Sequence, residues 1–283
     1  MKTTDIFVNA SMIETSKICD YPAASHISNT ILSNGKIVNM VSADYGFISN
    51  QDFFGKFEHK LREERIQFEA KYTNYDDARF TADYILDGEL FIKPEHKGKY
   101  GIVDSIKPKL RLTNSYDGKV PLAGYFGFFR QICSNGLHAQ VNDLAFQKRR
   151  TRSNIEIIFP TMSEMIEQYK KNDQVKIFRK YEVLAEKTIK KSELENIVKH
   201  FITSENLFKF EKSDKNPEPS IQSQFVLDTI AKECDTLHVK PNAWIVYNSI
   251  NEWIYSDERN KKDDGMRRNL DLKVFNKFEK MYL

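Results

Sequence analysis

The hydrophobic pattern of this chain changes near Pro160, and that change limits the folds open to it. Before Pro160, apolar and polar residues alternate over short runs such as 66–72 and 79–86, and this alternation is typical of half-buried strands. After Pro160, apolar residues recur every three or four positions, the spacing of amphipathic helices. The pattern predicts an α+β fold, with a mainly antiparallel sheet in the N-terminal half and helices in the C-terminal half.

The same change divides the 283-residue chain into two regions. Residues 1–160 form a strand-rich α+β region and residues 161–283 a helical region, and we expect the two to pack as one compact unit. Within the first region a helix is predicted from Asn50, as N-cap, to Glu64. At the boundary, Ile155–Phe159 is predicted to be a strand that Pro160 stops, and Thr161–Glu164 a capping box that opens the next helix.

The amino-acid composition argues against several classes of protein. No apolar run reaches the ~18–20 residues that a membrane helix needs, and the first 20 residues contain no apolar core of a secretory signal. The three cysteines are far apart and odd in number, which fits a reducing compartment better than a disulfide scaffold. We therefore expect a cytoplasmic protein with no membrane partner.

Motifs that mark common enzymes are missing from the sequence. Gly118-Lys119 is followed by Val120 and lacks the upstream glycine of a P-loop. Cys234 and His238 make only two ligands where zinc needs three or four, and Cys133 is favoured as a buried cysteine over a nucleophile. The sequence thus predicts no cofactor, no metal and no catalytic residue, and it favours a binding protein over an enzyme.

Basic residues in the middle of the chain are a better lead. Between Lys93 and Lys119 there are seven Lys and Arg residues against three acidic ones. Cations at every second strand position stand ~6.6 Å apart, and cations with aromatic rings are typical of single-strand binders. An ordinary amphipathic strand with a basic outer face is the alternative. The residues predicted to bind nucleic acid are Lys107, Lys109, Arg111, Tyr116, Lys148, Arg149, Arg150 and Arg152.

The middle of the chain also carries two turns around an aromatic run. Asn and Asp bond their own backbone in turns, and glycine takes positive φ without strain. Arg130 lies inside the run, where an unpaired charge is costly. We expect it to pair with Asp117, with turn carbonyls or with a phosphate, and a structural pairing is favoured. The residues predicted to be structural are Asn114, Asp117, Gly118, Arg130, Cys133, Asn135 and Gly136.

These residues resemble a known family. LRLTNSYDG at 110–118 and GFFRQICSNGL at 127–137 are similar to the most recognisable stretch of the phage/plasmid-like protein family, and 45–54 and 242–248 are similar to its two ends. The resemblance covers most of residues 44–257. That family is a domain family of unknown function from phages and mobile elements. The resemblance therefore implies a phage or plasmid setting in a bacterial host cell, and no particular activity.

These features lead to one hypothesis and two alternatives. We expect a nucleic-acid-binding protein of a phage or mobile element that binds single-stranded DNA, anneals it in recombination or replication, and forms homo-oligomers. The first alternative is a non-catalytic interaction or counter-defence protein that binds a host protein. The second is a metal-dependent nuclease that uses the acidic residues between 76 and 89.

Overall fold

The computed structural model describes residues 2–3, 5–18, 24, 26–93, 97–130, 136–137, 145–171, 173–204, 221–255 and 264–283. Antiparallel sheets occupy the N-terminal half and helices the C-terminal half, with 48% of residues helical and 28% in strands. The fold is therefore α+β, which confirms the prediction from the hydrophobic pattern.

Strands dominate up to residue 148 and helices after it. Within the described residues, the strands are β1 (Lys2–Thr3), β2 (Ala10–Glu14), β3 (Asn29–Ser33), β4 (Lys36–Val41), β5 (Phe68–Tyr75), β6 (Arg79–Leu86), β7 (Leu90–Phe91), β8 (Ser105–Ser115), β9 (Leu122–Arg130), β10 (Gly136–Leu137) and β11 (Ala145–Lys148). The helices are α1 (Lys56–Glu63), α2 (Arg152–Glu156), α3 (Ile158–Lys170), α4 (Asp173–Glu186), α5 (Lys191–Ser204), α6 (Ile221–Leu237), α7 (Ala243–Tyr255) and α8 (Asp264–Tyr282). None of these helices is long and apolar enough to cross a membrane.

Contacts divide the chain into two units, each discontinuous in sequence. The first unit consists of Met1–Asp87, Pro108–Phe126 and Val141–Asp173. The second consists of Gly88–Lys107, Gly127–Gln140 and Gln174–Leu283. Strands β8 and β9 therefore contribute residues to both units. Residue 160 lies inside the first unit, so these units do not coincide with a division at that residue.

The first unit is built on an antiparallel sheet. The two alternating runs near 66–72 and 79–86 suggest a hairpin, and β5 and β6 form it: Phe68 pairs with Leu86 at one end and Tyr75 with Arg79 at the other. β8 pairs with the other side of β6, β1 pairs with β5, and β11 pairs with β9. A separate three-stranded sheet has the order β2-β3-β4.

The helix predicted before this sheet is present, and its start differs from the prediction. A single π turn at Gln51–Gly55 leads into α1, and Phe53, Phe57 and Leu61 are buried, as their helical spacing predicts. Asn50 already has helical backbone angles, so it is not the N-cap. The Ser49 hydroxyl accepts from the Asp52 N–H instead, at 3.0 Å.

The segment around Pro160 is helical, so the strand predicted at Ile155–Phe159 is wrong. Pro160 does not stop an element; it lies in the first turn of α3, where a helix does not use the N–H that proline lacks. Thr161 is inside α3, and its hydroxyl donates to the Ile157 carbonyl at 2.9 Å. It therefore caps no helix, and the predicted capping box is also wrong.

The second unit is mainly helical and is packed around aromatic side chains. The ring of Tyr181 in α4 lies 4.7 Å from that of Trp244 in α7 and 5.5 Å from that of Phe275 in α8. Helix α7 is buried along most of its length, because α6 and α8 both pack against it. Residues 212–220, whose sequence KSDKNPEPS predicts a loop, lie outside the described residues.

Candidate nucleic-acid interface

The strand cations predicted to contact nucleic acid do not form one exposed row. Arg111 on β8 is directly opposite Asp83 on β6 and donates two hydrogen bonds to its carboxylate, at 2.6 and 2.7 Å. Lys109 Nζ lies 3.4 Å from the same carboxylate, and its side chain is 6% exposed. The sheet itself therefore compensates both charges. Lys107 is half-buried and belongs to the second unit.

Tyr116, which was predicted to contact nucleic acid and therefore to be exposed, is completely buried. Its hydroxyl accepts a hydrogen bond from the Asn50 N–H at 2.8 Å, and its ring lies 4.9 Å from the Phe80 ring. Burial raises the pKa of Tyr116 above the ordinary value for a tyrosine. No base reaches this ring, so the expected exposure is wrong and Tyr116 is a core residue of the first unit.

Asn114 and Arg150 meet in the same buried polar cluster. Asn114 donates to the Asn50 side-chain oxygen at 2.7 Å and accepts from Arg150 Nη2. Solvent does not reach Nε and Nη1 of Arg150 or the hydroxyl of the neighbouring Tyr45. Burial lowers the pKa of Arg150, and Tyr45 and Tyr116 oppose the shift. Arg150 is half-buried and thus supports the Asn114 motif with two of its three guanidinium nitrogens shielded from solvent.

Three predicted cations remain at or near the surface of the first unit. Arg149 and Arg152 are exposed and Lys148 is half-buried. Arg152 begins α2, which Thr151 caps by accepting a hydrogen bond from the Asn154 N–H. Of the basic cluster at 148–152, these three are placed where they can meet an anion from solution.

The other predicted structural residues have varied surroundings. Asp117 Oδ2 lies 3.4 Å from Arg79 Nε, and Gly118 has a φ of +71°, as the turn prediction requires. Gly136 lies in β10 and pairs with Phe129 of β9. Cys133 and Asn135 lie outside the described residues.

Arg130 pairs with two acids that the sequence did not suggest. It is completely buried and donates to Asp104 at 2.8 and 2.7 Å and to Glu233 at 2.6 Å. Trp244 Nε1 also donates to Asp104, at 2.8 Å, and the Arg130 guanidinium lies 5.3 Å from the Trp244 ring. Burial raises the pKa of Glu233, and Arg130 opposes that shift. The pairing is structural, as the sequence favoured, and its partners are Asp104 and Glu233 where Asp117 was named.

Asp104 also ends the loop between β7 and β8. Its carbonyl accepts from the Ile92 N–H at 2.8 Å, which closes the loop at its base. Further along, Lys99 Nζ lies 2.5 Å from Asp235 Oδ2. Gly98 lies so close to the backbone of Thr236 and Leu237 that a Cβ would overlap them. The loop is therefore fixed to the C-terminal end of α6.

Two more loops of the second unit meet beside the loop between β7 and β8. The loop after α4 bonds to the loop before α7, because the Ile189 N–H donates to the Pro241 carbonyl at 2.8 Å and the Ala243 N–H donates to the Lys187 carbonyl at 2.9 Å. Residues from or next to all three loops line one small cavity of about 30 Å³. We call the lysines of these loops, together with Lys191 at the start of α5, the lysine face. They are Lys93, Lys97, Lys99, Lys187, Lys190, Lys191 and Lys240.

The lysine face has a net positive charge. Within the described residues, its seven lysines stand with three exposed acids, Glu186, Glu193 and Asp235. One of these acids pairs with Lys99 at 2.5 Å, and another lies 3.9 Å from Lys190. Sequence reasoning detected the basic density after Lys93 but not the face, because the fold brings in lysines from positions 187–191 and 240. The sequence pattern that could have indicated these additional lysines is Lys-x-x-Lys-Lys at 187–191.

The geometry gives little support to the metal and cysteine chemistry considered from the sequence. Among the described residues, no group of three or more His, Cys, Asp and Glu side chains could hold a metal ion. Asp83, an acid of the nuclease alternative, is bonded to Arg111. Burial and the neighbouring Glu233 raise the pKa of Cys234 to about 11. Its thiol is therefore neutral at pH 7, and a neutral thiol is a poor nucleophile and a poor metal ligand.

Comparisons with known proteins identify a family and no activity. No curated protein and no solved structure matches the chain. The family described as "Domain of unknown function (DUF932)" matches residues 38–273. This range contains the Asn114–Gly118 motif, Arg130 and the whole lysine face. The chain therefore belongs to the DUF932 family, a domain family of unknown function.

Proposed function

We propose that this protein binds nucleic acid through the lysine face and that single-stranded DNA is its target. The observation that carries the proposal is the meeting of three loops of the second unit, each with exposed or half-buried lysines. Lys97, Lys187, Lys191 and Lys240 are exposed, and none forms a salt bridge within the described part of the chain. They are the cations best placed to meet phosphates.

The physical basis of such binding is the exchange of counterions for lysines. A nucleic acid concentrates cations along its backbone, and each lysine that neutralises a phosphate releases a fraction of them. The cavity between the loops is too small for a nucleotide. The ligand expected here is therefore a polymer that crosses the surface of the loops, contacted mainly through its backbone.

The proposed setting rests on the resemblance to phage and plasmid proteins around Asn114 and Arg130. It is a phage or mobile element in the cytoplasm of a bacterial cell, where a strand-binding protein would assist annealing in recombination or replication. Assembly of several copies along one strand belongs to the same proposal. The exposed Arg149 and Arg152 of the first unit stay predicted contacts, together with Lys148.

The proposal is tested by removing charge from the lysine face. K187Q/K191Q should weaken binding of a single-stranded oligonucleotide by about 5-fold per lysine at 0.1 M salt, from ~0.7 counterions released per contact. K273Q/K280Q removes the same charge from exposed positions of α8 and should leave affinity within about twofold. Equal weakening by the two pairs would show that only net charge matters and would contradict a defined face.

The cations of the first unit are tested separately. In a variant with Lys148, Arg149 and Arg152 all changed to Gln, weaker binding by the same factor per residue would include them among the contacts. Unchanged affinity would remove them. All three side chains are exposed or half-buried, so their substitution should leave the protein folded. A change in affinity then reports on binding and not on unfolding.

A further inference from the structure

Tyr100 is the most exposed large apolar side chain among the described residues. It is 98% exposed, whereas buried apolar rings are the rule in the rest of the second unit. Its backbone has φ 57° and ψ 23°, inside the left-handed region, which non-glycine residues adopt rarely and at a cost in free energy. An unfavourable backbone that displays an unburied ring is a reason to look for a ligand of that ring.

The loop that carries Tyr100 is held on both sides of the ring. The Gly98 N–H donates to the Ile102 carbonyl at 2.8 Å, and the Ile102 N–H donates to the Lys99 carbonyl at 3.1 Å. The salt bridge from Lys99 to Asp235 holds the same turn against α6. The ring is thus presented from a fixed turn, so little conformational entropy is lost when it binds a partner.

The charge around the ring favours a nucleic acid over a protein as that partner. Lys97 and Lys99 precede Tyr100 in the same loop, and the other two loops that carry the lysine face line the same cavity as this loop. The centres of protein–protein interfaces are depleted in lysine. A single aromatic ring among lysines is the arrangement found in sequence-tolerant binding of single strands.

We propose that Tyr100 stacks on a base of a single strand that the lysine face holds by its phosphates. This inference rests on the proposed function and adds to it the contact that selects single strands. A duplex hides its base faces in the helical stack, so the ring can stack only on unpaired bases. Tyr100 takes the role that the sequence assigned to Tyr116, which is buried.

The inference is tested by changing the ring alone. Y100A should weaken binding to a single-stranded oligonucleotide by about 5- to 150-fold, the range for loss of one aromatic–base stack, and should leave duplex binding and the salt dependence unchanged. Y100F should bind as the native protein does. In Y100W the new indole should be quenched by the single strand, and the two native tryptophans, Trp244 and Trp253, are 1% and 3% exposed and supply a constant background.

The outcomes separate this inference from the proposal on which it rests. If Y100A binds single strands as well as the native protein while K187Q/K191Q binds more weakly, stacking by Tyr100 is overturned and the lysine face stands. If the native protein binds no single strand at low salt, the proposed function fails and stacking fails with it. Loss of a protein partner in Y100A, with DNA binding unchanged, would overturn stacking in favour of protein docking.

Discussion

Arg130 shows how one side chain of the family motif shapes a distant surface. A guanidinium removed from water is stable only when acids and further hydrogen bonds compensate its charge, and Asp104 and Glu233 do so here. The backbone carbonyl of Asp104 also accepts the hydrogen bond from Ile92 that closes the loop carrying Tyr100. Arg130 is therefore a positioning residue for the proposed interface, although it is completely buried itself.

Removing the Arg130 guanidinium should destabilise the folded protein. R130M should lower the free energy of unfolding by about 3–5 kcal/mol, because it leaves two buried carboxylates without their cation. Urea denaturation at pH 7 measures this change. R149M, at an exposed position, is the control and should stay within about 0.5 kcal/mol of the native protein. A loss below 1 kcal/mol in R130M would contradict the assigned pairing.

At the same scale, the sequence predicts which residues need partners better than which partners they have. An arginine within an aromatic run must be paired, and this follows from local sequence alone. Its acids lie 26 and 103 residues away, so only the fold identifies them. Lys109 and Arg111 were predicted to be exposed from strand alternation alone. Alternation does not show which residue of the neighbouring strand is directly opposite, so the acid that faces Arg111 could not be foreseen.

At the scale of elements, two glycines should respond to alanine in opposite directions. Gly118 has positive φ in the turn between β8 and β9, and G118A should destabilise the protein by about 1 kcal/mol. Gly55 has a helical φ of −63° and room for a methyl group, so G55A should stabilise it by about 0.5–1 kcal/mol. Thermal unfolding measures both. Shifts of the same sign would contradict the assigned backbone conformations.

The elements themselves were largely predictable. The hairpin of β5 and β6 and the helices α4 to α8 follow from apolar periodicity, because each has one face toward a core. The error at Ile155–Phe159 has a physical origin. A short apolar run fits a strand or a buried helix turn equally well, and a proline in the first turn of a helix gives the same local signal as a proline that stops a strand.

At the scale of the molecule, buried tyrosines should limit stability in alkali. Burial raises the pKa of Tyr181 and Tyr247 well above their ordinary value, and Asp271 adds to the shift. Above about pH 10 the unfolded chain loses tyrosine protons that the folded protein keeps. The free energy of unfolding should therefore fall with rising pH, by up to about 1.4 kcal/mol per pH unit for each tyrosine.

This pH dependence is measured by urea denaturation from pH 8 to pH 11. Y181F should reduce the slope, because it removes one group that ionises only in the unfolded chain. Y100F is the control and should leave the slope unchanged, since Tyr100 is 98% exposed. Equal stability of the native protein at pH 8 and pH 11 would contradict the burial of these tyrosines.

The central claim is that the lysine face holds the phosphates of a single strand, and a salt titration tests it most directly. Affinity of the native protein for a single-stranded oligonucleotide is measured at several salt concentrations from about 0.05 to 0.2 M. If the four lysines without salt bridges each meet a phosphate, log K should fall with log salt at a slope near −2.8, from ~0.7 per contact. No measurable binding at the lowest salt, or a slope near zero, would contradict the claim.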